Sequence, residues 1–189
     1  DRVKLLVSRP GLDTRSLTNF IRDKGAPKGT IAFSKKQKFN LSKLTNTTLK
    51  WSGLKNLDLA KDVSTSKNYI WKGFKTWKKK DGFVKNKKNH FHVVAIDYGI
   101  KKNILRYFSD FNCKVTVVNC KTSAEKILSL KPNGIFLSNG PGDPAATGKY
   151  AINIIKNLIK KNIPIFGICL GHQILALALG GKTKKMKLG

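Results

Sequence analysis

The chain has 189 residues, 40% of them hydrophobic, which is enough for one or two domains with a buried core. Its 38 basic and 10 acidic side chains give a net charge of +28. This charge is spread along the whole chain, and no interleaved arginine and aromatic motif concentrates it, so compositional drift toward lysine is favoured over nucleic-acid recognition. No apolar run approaches the ~20 residues of a membrane span, and no signal peptide precedes the first strand.

The cysteines also exclude some classes of protein. Cys113, Cys120 and Cys169 are an odd number without the spacing of metal ligands. They predict reduced thiols, no metal site and a cytoplasmic location. Cys113 and Cys120 bracket a predicted strand, and we expect no chemistry from them.

Residues 1–75 predict the C-terminal part of a smaller N-terminal domain. A helix opens at residues 12–15 with Asp13 or Thr14 as its N-cap, and a glycine-containing turn ends it. Residues 30–33, with the sequence Thr-Ile-Ala-Phe, predict a strand.

Residues 76–90 predict a lysine-rich linker with a solvated surface. Of two nearby tryptophans, Trp71 precedes this segment and Trp77 lies within it. They could form a binding platform, but packing against the neighbouring domain is the favoured interpretation.

Residues 91–189 predict a domain of repeated strand–helix units. The predicted strands are residues 93–97, 114–118, 134–138 and 163–168, and the predicted helices are residues 102–110, 123–130, 147–161 and 174–179. Strands that are apolar on both faces and alternate with helices predict the α/β class, here an open, mostly parallel sheet with helices on both faces. The tail at residues 182–188 predicts the start of a further strand.

A cysteine stands between the last predicted strand and the helix after it. The sequence of residues 167–173 is Gly-Ile-Cys-Leu-Gly-His-Gln, which predicts a strand–elbow–helix turn that presents Cys169 as a nucleophile. Such a sharp turn crowds the backbone around its central residue, and glycines on either side fit there because they have no side chain. The peptide dipoles at the start of a helix favour a thiolate over a thiol. The alternative is a buried structural cysteine.

A second glycine loop follows the strand before it. Residues 138–144 read Ser-Asn-Gly-Pro-Gly-Asp-Pro, a rigid turn whose backbone N–H groups cannot all be used internally. Alone it would indicate a plain tight turn. Because ligands bind at the carboxyl ends of strands in open α/β sheets, two such loops predict a shared crevice.

These two loops together resemble the class I glutamine amidotransferases. Within this family, the chain is most similar to the small, glutamine-hydrolysing subunits of carbamoyl-phosphate synthetases. The similarity lies in the sequence of residues 138–144 and in the segments at residues 10–18 and 91–99. The similarity runs from about residue 10 to the end and is weakest between residues 33 and 90.

The resemblance implies glutamine hydrolysis through a cysteine thioester. Cys169 is then the nucleophile, and the backbone amides of Leu170 and Gly140 form the oxyanion hole. Gly140, Gly142, Leu170 and Gln173 are implied to bind glutamine.

The resemblance also implies residues that this sequence does not contain. The family's catalytic histidine, with a glutamate two residues after it, is expected beyond Gly189, so the chain is expected to be a fragment lacking both termini and to be inactive alone. His172 is expected to fix the elbow by hydrogen bonding rather than to act as the base. Asp143 is expected to be a turn residue and not an acid catalyst.

A partner is implied as well. The family passes ammonia to a large synthetase subunit, which uses ATP and Mg to make carbamoyl phosphate for pyrimidine and arginine synthesis, so no cofactor is expected in this chain. Three alternatives remain open: a subunit of another synthase such as that for anthranilate, a cysteine hydrolase without a partner, and a non-catalytic binding module.

Overall fold

The computed structural model describes residues 13–25, 27–36, 38–184 and 186. The chain divides into two compact units, with boundaries after Gly53 and after Thr183. The similarity at residues 10–12, and Leu12 of the segment predicted to open the first helix, lie outside the described residues. A strand was predicted to start in the tail at residues 182–188. Of these, residues 182–184 and 186 are described and form no strand, and the others lie outside the described residues.

The first unit contains two capped helices, α1 (Thr14–Lys24) and α2 (Leu41–Lys50). The side chain of Asp13 accepts a hydrogen bond from the Ser16 N–H at 2.9 Å, so the predicted N-cap is confirmed as Asp13. Asn40 caps α2 in the same way, accepting from the Lys43 N–H at 2.9 Å. The second helix was not predicted.

The strand predicted at residues 30–33 is wrong. These residues have no strand assignment, and the side chains of Ile31 and Phe33 are almost wholly exposed. A β-branched and aromatic run forms a stable strand only when another strand pairs with it, and no described residue of this unit does so.

The second unit is built on a five-stranded sheet in the order β1-β3-β2-β4-β5. The strands are β1 (Tyr69–Ile70), β2 (Phe91–Asp97), β3 (Cys113–Asn119), β4 (Gly134–Leu137) and β5 (Ile165–Gly167). The short β1, which was not predicted, pairs antiparallel with β3, and the other pairs are parallel. The helices are α3 (Ala60–Val63), α4 (Lys102–Asp110), α5 (Ala124–Ser129), α6 (Pro144–Ile159) and α7 (Leu170–Ala178).

The core lies on both faces of this sheet. Alternate residues of β2 belong to different clusters: Val94 and Ile96 pack with residues of α5, α6 and α7, whereas Val93 and Ala95 pack with Leu105 of α4. The predicted open, mostly parallel α/β sheet with helices on both faces is therefore confirmed.

Residues 71–88 extend along this unit in irregular structure. Trp71 donates its backbone N–H to the carbonyl oxygen of Val115 at 2.9 Å and its ring N–H to Ser109 Oγ at 3.1 Å. It packs against the cluster that contains Leu105, whereas Trp77 is largely exposed. The predicted packing role therefore fits Trp71 but not the exposed Trp77. Within the described ranges, no helix combines the length and hydropathy needed to cross a membrane.

Candidate active site

Cys169 lies between a strand and a helix. β5 ends at Gly167, α7 begins at Leu170, and the exposed Cys169 is the N-cap residue directly before that helix. The Gly171 N–H donates to the carbonyl oxygen of Ile168 at 3.0 Å, and the Gln173 N–H donates to that of Cys169 at 3.0 Å. The chain therefore reverses within two residues, which is the predicted strand–elbow–helix turn.

The two glycines of the elbow are required by close packing, not by their backbone angles. A Cβ atom on Gly167 would lie 2.7 Å from the amide nitrogen of His172, and one on Gly171 would overlap the carbonyl oxygen of Leu137. All these neighbours are backbone atoms, which cannot move aside as a flexible side chain can. Helix α7 therefore approaches the strands more closely than any larger residue would allow.

The strained backbone angle belongs to Cys169 itself, with φ 53° and ψ −114°. These angles are close to those of the first central residue of a type II′ turn, where glycine is the usual residue. A non-glycine residue in such a conformation costs on the order of 1–3 kcal/mol and is found mainly at functional sites. The elbow therefore holds the sulfur in place at a cost in stability.

The second loop begins at Ser138, directly after β4. Ser138 Oγ accepts from the Tyr98 N–H at 2.8 Å, and Asn139 bonds to two further amide groups after β2. Asn139 Oδ1 accepts from the Lys101 N–H at 3.0 Å, and its Nδ2 donates to the carbonyl oxygen of Gly99 at 3.0 Å. The loop is thus fixed to the carboxyl end of β2 by side-chain bonds.

The glycines of this loop allow close contacts of two kinds. A Cβ atom on Gly140 would overlap the carbonyl oxygen of Tyr98. Gly142 has φ +105°, a conformation that other residues rarely adopt. Asp143 caps α6 by accepting from the Ala145 N–H at 2.9 Å, so it is a turn and capping residue as predicted.

The two loops are adjacent. The Gly171 N–H of the elbow donates to the carbonyl oxygen of Ser138 at 3.0 Å, which joins them through their backbones. Among the described residues, neither the N–H of Gly140 nor that of Leu170 has a protein acceptor, so both can donate to a ligand. The arrangement can stabilise negative charge next to a cysteine.

Two predicted residues lie on the first turn of α7. Gln173 and His172 are both exposed. The His172 ring makes no hydrogen bond with the described residues, so its predicted role in fixing the elbow is wrong. Backbone amides perform that role instead, because Gly171 and Ile168 donate to carbonyl oxygens of the neighbouring strand end.

Two features of the site were missed. Asp97, 5% exposed at the end of β2, accepts from the amides of Gly99, Ile100 and Thr65 at 2.8 to 2.9 Å and so shapes the turn beside the second loop. Residues 56–59, here called the strap, lie directly on that loop. An aspartate followed by a glycine after a strand could have indicated the first feature, but no local signal indicates the strap.

Comparison with known proteins also finds similarity to amidotransferases. Residues 94–189 match the family described as glutamine amidotransferase class-I. The chain is 52% identical over 181 residues to the carbamoyl phosphate synthase small chain of Rhizobium meliloti (strain 1021), covering 95% of this chain and 45% of that protein. It is 51% identical over 184 residues to the proteins of the same name from Mesorhizobium japonicum and Bradyrhizobium diazoefficiens, covering 97% of this chain and 46% of each.

The chain therefore spans just under half the length of these relatives. The family match covers both loops, the strands β3 to β5, the last four residues of β2 and the helix that follows Cys169. On the match over residues 94–189 and the geometry of these loops, the chain belongs to the class I glutamine amidotransferase family.

Proposed function

We propose that this chain is part of the small subunit of a glutamine-hydrolysing carbamoyl-phosphate synthetase. The observation that carries the proposal is the strained Cys169, held at the start of α7 beside two amide groups that have no acceptor in the part of the chain that the structure describes. The relatives that share about half of its residues are carbamoyl phosphate synthase small chains, which favours this subunit over one serving anthranilate synthesis.

In the proposed reaction, a general base takes the proton of the Cys169 thiol, and the sulfur attacks the side-chain amide carbon of glutamine. The carbonyl electron pair moves onto oxygen, and the N–H groups of Leu170 and Gly140 stabilise the oxyanion. Removing one such donor typically lowers kcat by roughly 10²- to 10³-fold. Gly140, Gly142, Leu170 and Gln173 hold the glutamine.

The next step releases ammonia. Collapse of the tetrahedral intermediate breaks the carbon–nitrogen bond, a general acid protonates the leaving nitrogen, and a glutamyl thioester remains on Cys169. Water, deprotonated by the same group acting as a base, then attacks the thioester to give glutamate and the free thiol.

That acid–base group is proposed to be a histidine beyond Gly189, held by a glutamate. The sequence contains three histidines. His90 and His92 lie at the amino end of β2, whereas both loops lie at the carboxyl ends of the parallel strands. His172 lies three residues along α7 from the nucleophile and has no bonded partner among the described residues. None of them is placed as the base.

The ammonia is proposed to pass to a large synthetase subunit in the cytoplasm. ATP and Mg act on that subunit, which makes carbamoyl phosphate for pyrimidine and arginine synthesis. Residues 1–75 are proposed to complete a smaller N-terminal domain, residues 76–90 to link it, and residues 91–189 to form the first part of the amidotransferase domain.

The first experiment is to sequence the gene beyond the codon for Gly189. An open frame that encodes a histidine and, two residues later, a glutamate supports the proposal. A stop codon at that point contradicts it, because the chain would then lack the acid–base group. We call the product of the complete reading frame the full-length subunit.

The second experiment compares Cys169→Ser with wild type in the complex of the full-length subunit and its synthetase partner. We expect loss of glutamine-dependent synthesis and retention of synthesis from added ammonia. Cys113→Ser is the control, because Cys113 lies at the start of β3, at the other end of the strands. If the chain were a non-catalytic module, the Cys169→Ser complex would still use glutamine. If it were a hydrolase that needs no partner, the full-length subunit would release ammonia from glutamine in the absence of the synthetase.

A further inference from the structure

The strap is bonded to the loop that carries Gly140 through one carboxylate oxygen and the backbone N–H of a single residue, Asp143. Asp143 Oδ2 accepts from the Asn56 N–H at 2.8 Å, and the Asp143 N–H donates to the carbonyl oxygen of Leu57 at 2.9 Å. Its other carboxylate oxygen, Oδ1, accepts from the Ala145 N–H at 2.9 Å. A plain N-cap would need only this last bond.

The strap also packs on the loop without a gap. A Cβ atom on Gly142 would lie 2.8 Å from the carbonyl oxygen of Leu57 and 2.9 Å from the amide nitrogen of Leu59. The backbone of the strap therefore occupies the space on one side of the loop. On the other side, Gly140 lies against the carbonyl oxygen of Tyr98, after β2.

The strap itself is anchored to α6. Asp58 Oδ1 accepts from Thr147 Oγ1 at 3.0 Å, and the Tyr150 hydroxyl lies 3.4 Å from the same oxygen. Thr147 is 0% exposed, so this anchor is on a buried face of the helix. The strap is thus a fixed surface against which the loop can be held.

A loop with two glycines needs such a surface. Glycine allows many backbone conformations, so the direction of the Gly140 N–H is set by whatever bonds the loop ends. Asn139 fixes one end to the residues after β2, and Asp143 fixes the other end to the strap.

We propose that Asp143 is a positioning residue: by joining the strap to the loop, it keeps the Gly140 N–H directed at the oxyanion formed during glutamine hydrolysis. This inference rests on the proposed function. It predicts that weakening the strap bond lowers the rate of the chemical step even though Asp143 makes its hydrogen bonds with the strap and α6 and not with Cys169.

The test is Asp143→Asn in the full-length subunit with its synthetase partner. Asparagine caps helices about as well as aspartate does. Its side chain has an NH2 group in place of one carboxylate oxygen, so when its oxygen accepts from the Ala145 N–H, a donor faces the Asn56 N–H where Asp143 has an acceptor. We expect kcat for glutamine hydrolysis to fall roughly 10- to 100-fold, less than the full loss of an oxyanion donor. Synthesis from added ammonia is expected to stay within twofold of wild type.

Ser123→Ala is the matched control. Ser123 caps α5 by accepting from the Lys126 N–H at 3.3 Å, and it has no bond to either loop. We expect a lower melting temperature and unchanged kcat. If Asp143→Asn behaves in the same way, with a lower melting temperature and kcat within twofold of wild type, Asp143 is only a cap and the inference is wrong.

Asp58→Ala keeps the inference testable if Asp143→Asn does not fold. This change loosens the strap from α6 and leaves Asp143 and the glycine loop intact. We expect a roughly 3- to 10-fold lower kcat with glutamine, since the loop would be misplaced only partly. A folded Asp58→Ala variant with wild-type kcat would overturn the inference while the proposed function stands. A wild-type complex without glutaminase activity would overturn both.

Discussion

The amide nitrogen of Gly171 lies 3.0 Å from the carbonyl oxygen of Ser138 and donates its hydrogen to it. Gly171 belongs to the elbow and Ser138 to the loop after β4. The residue before Ser138, Leu137, is the register partner of Gly167 in the parallel pairing of β4 with β5. The proposed nucleophile and the proposed oxyanion donors are therefore held together by backbone bonds between two adjacent strand ends.

Replacing Gly171 with alanine should disrupt this contact. The new Cβ atom would overlap the carbonyl oxygen of Leu137. Leu137 cannot move without breaking its pairing with β5, and Gly171 cannot move without breaking its N–H bond to Ser138. We expect Gly171→Ala to lower the free energy of unfolding by about 1–3 kcal/mol or more. Gly134→Ala is the control, because its nearest neighbour would be the carbonyl oxygen of Pro164 at an ordinary 3.7 Å. Urea denaturation of the full-length subunit measures both, and an equal loss in both variants would contradict the packing argument.

Replacing Cys169 with glycine should stabilise the fold and abolish glutamine hydrolysis. Glycine accepts φ 53° and ψ −114° without the steric cost that any other residue has there. Alanine removes the sulfur but keeps that cost, so Cys169→Ala is the matched variant. We expect Cys169→Gly to exceed Cys169→Ala by about 1 kcal/mol in free energy of unfolding. Equal stability of the two would mean that the backbone at residue 169 is not strained.

Replacing Tyr98 with phenylalanine tests a buried hydroxyl. Tyr98 is 0% exposed, and its Oη has no hydrogen-bond partner among the described residues. Burial raises the pKa of this phenol well above its usual value, with a smaller contribution from Cys120, so the group stays neutral. An unpaired buried hydroxyl costs about 1–3 kcal/mol. Tyr98→Phe should therefore keep or raise the melting temperature.

The control for Tyr98→Phe is Tyr107→Phe, since Tyr107 is 55% exposed and its hydroxyl can bond to water. That variant should leave the melting temperature unchanged. A clear loss of stability in Tyr98→Phe alone would indicate a bonded partner for the hydroxyl, such as an ordered water.

His92 should make stability depend on pH. Desolvation by burial lowers its pKa below 6.5, and the nearby Lys114 lowers it further, whereas a bond to the Leu130 carbonyl raises it. The folded state therefore binds fewer protons than the unfolded state just below pH 6.5. The contribution of neutral His92 is fully present above pH 6.5 and is lost as the pH falls below that value toward the lowered pKa. Denaturation midpoints between pH 5 and pH 8 measure the effect.

The matched variant for this measurement is His92→Gln, whose side chain can also bond to Thr116 Oγ1, the partner of His92 Nε2 at 2.8 Å. Below pH 6.5 the variant should lose less stability than wild type. Parallel pH profiles of the two proteins would exclude His92 as the titrating group.

Much of the sheet was predictable because its strands and helices alternate in a simple pattern. The predicted helix at residues 102–110 is α4 without change, and the predicted strands at residues 93–97 and 114–118 lie within β2 and β3. The start of α6 was predicted three residues late, because the capping Asp143 and Pro144 were assigned to the preceding turn. Local signals were sufficient where the core covers both faces.

The remaining parts depend on contacts between distant residues. The β1 strand is two residues long and exists because Tyr69 and Ile70 pair with β3, almost fifty residues later in the sequence. The strap has no local pattern, since its bond partner Asp143 is 87 residues away from Asn56. In the candidate site, the two glycine loops were predictable from their sequences, but the strain at Cys169 and the surface that supports Gly142 were not.

The backbone angle of Cys169 has a consequence for how this chain evolves. A mutation to glycine at this position would relieve strain, so selection for folding alone would favour the loss of the cysteine. A gene that no longer needed the thiol would meet no structural resistance to losing it. Under the proposed function, Cys169 is maintained by selection for its sulfur against a standing pressure from stability, and a glycine at this position in a related chain would mark the end of that selection.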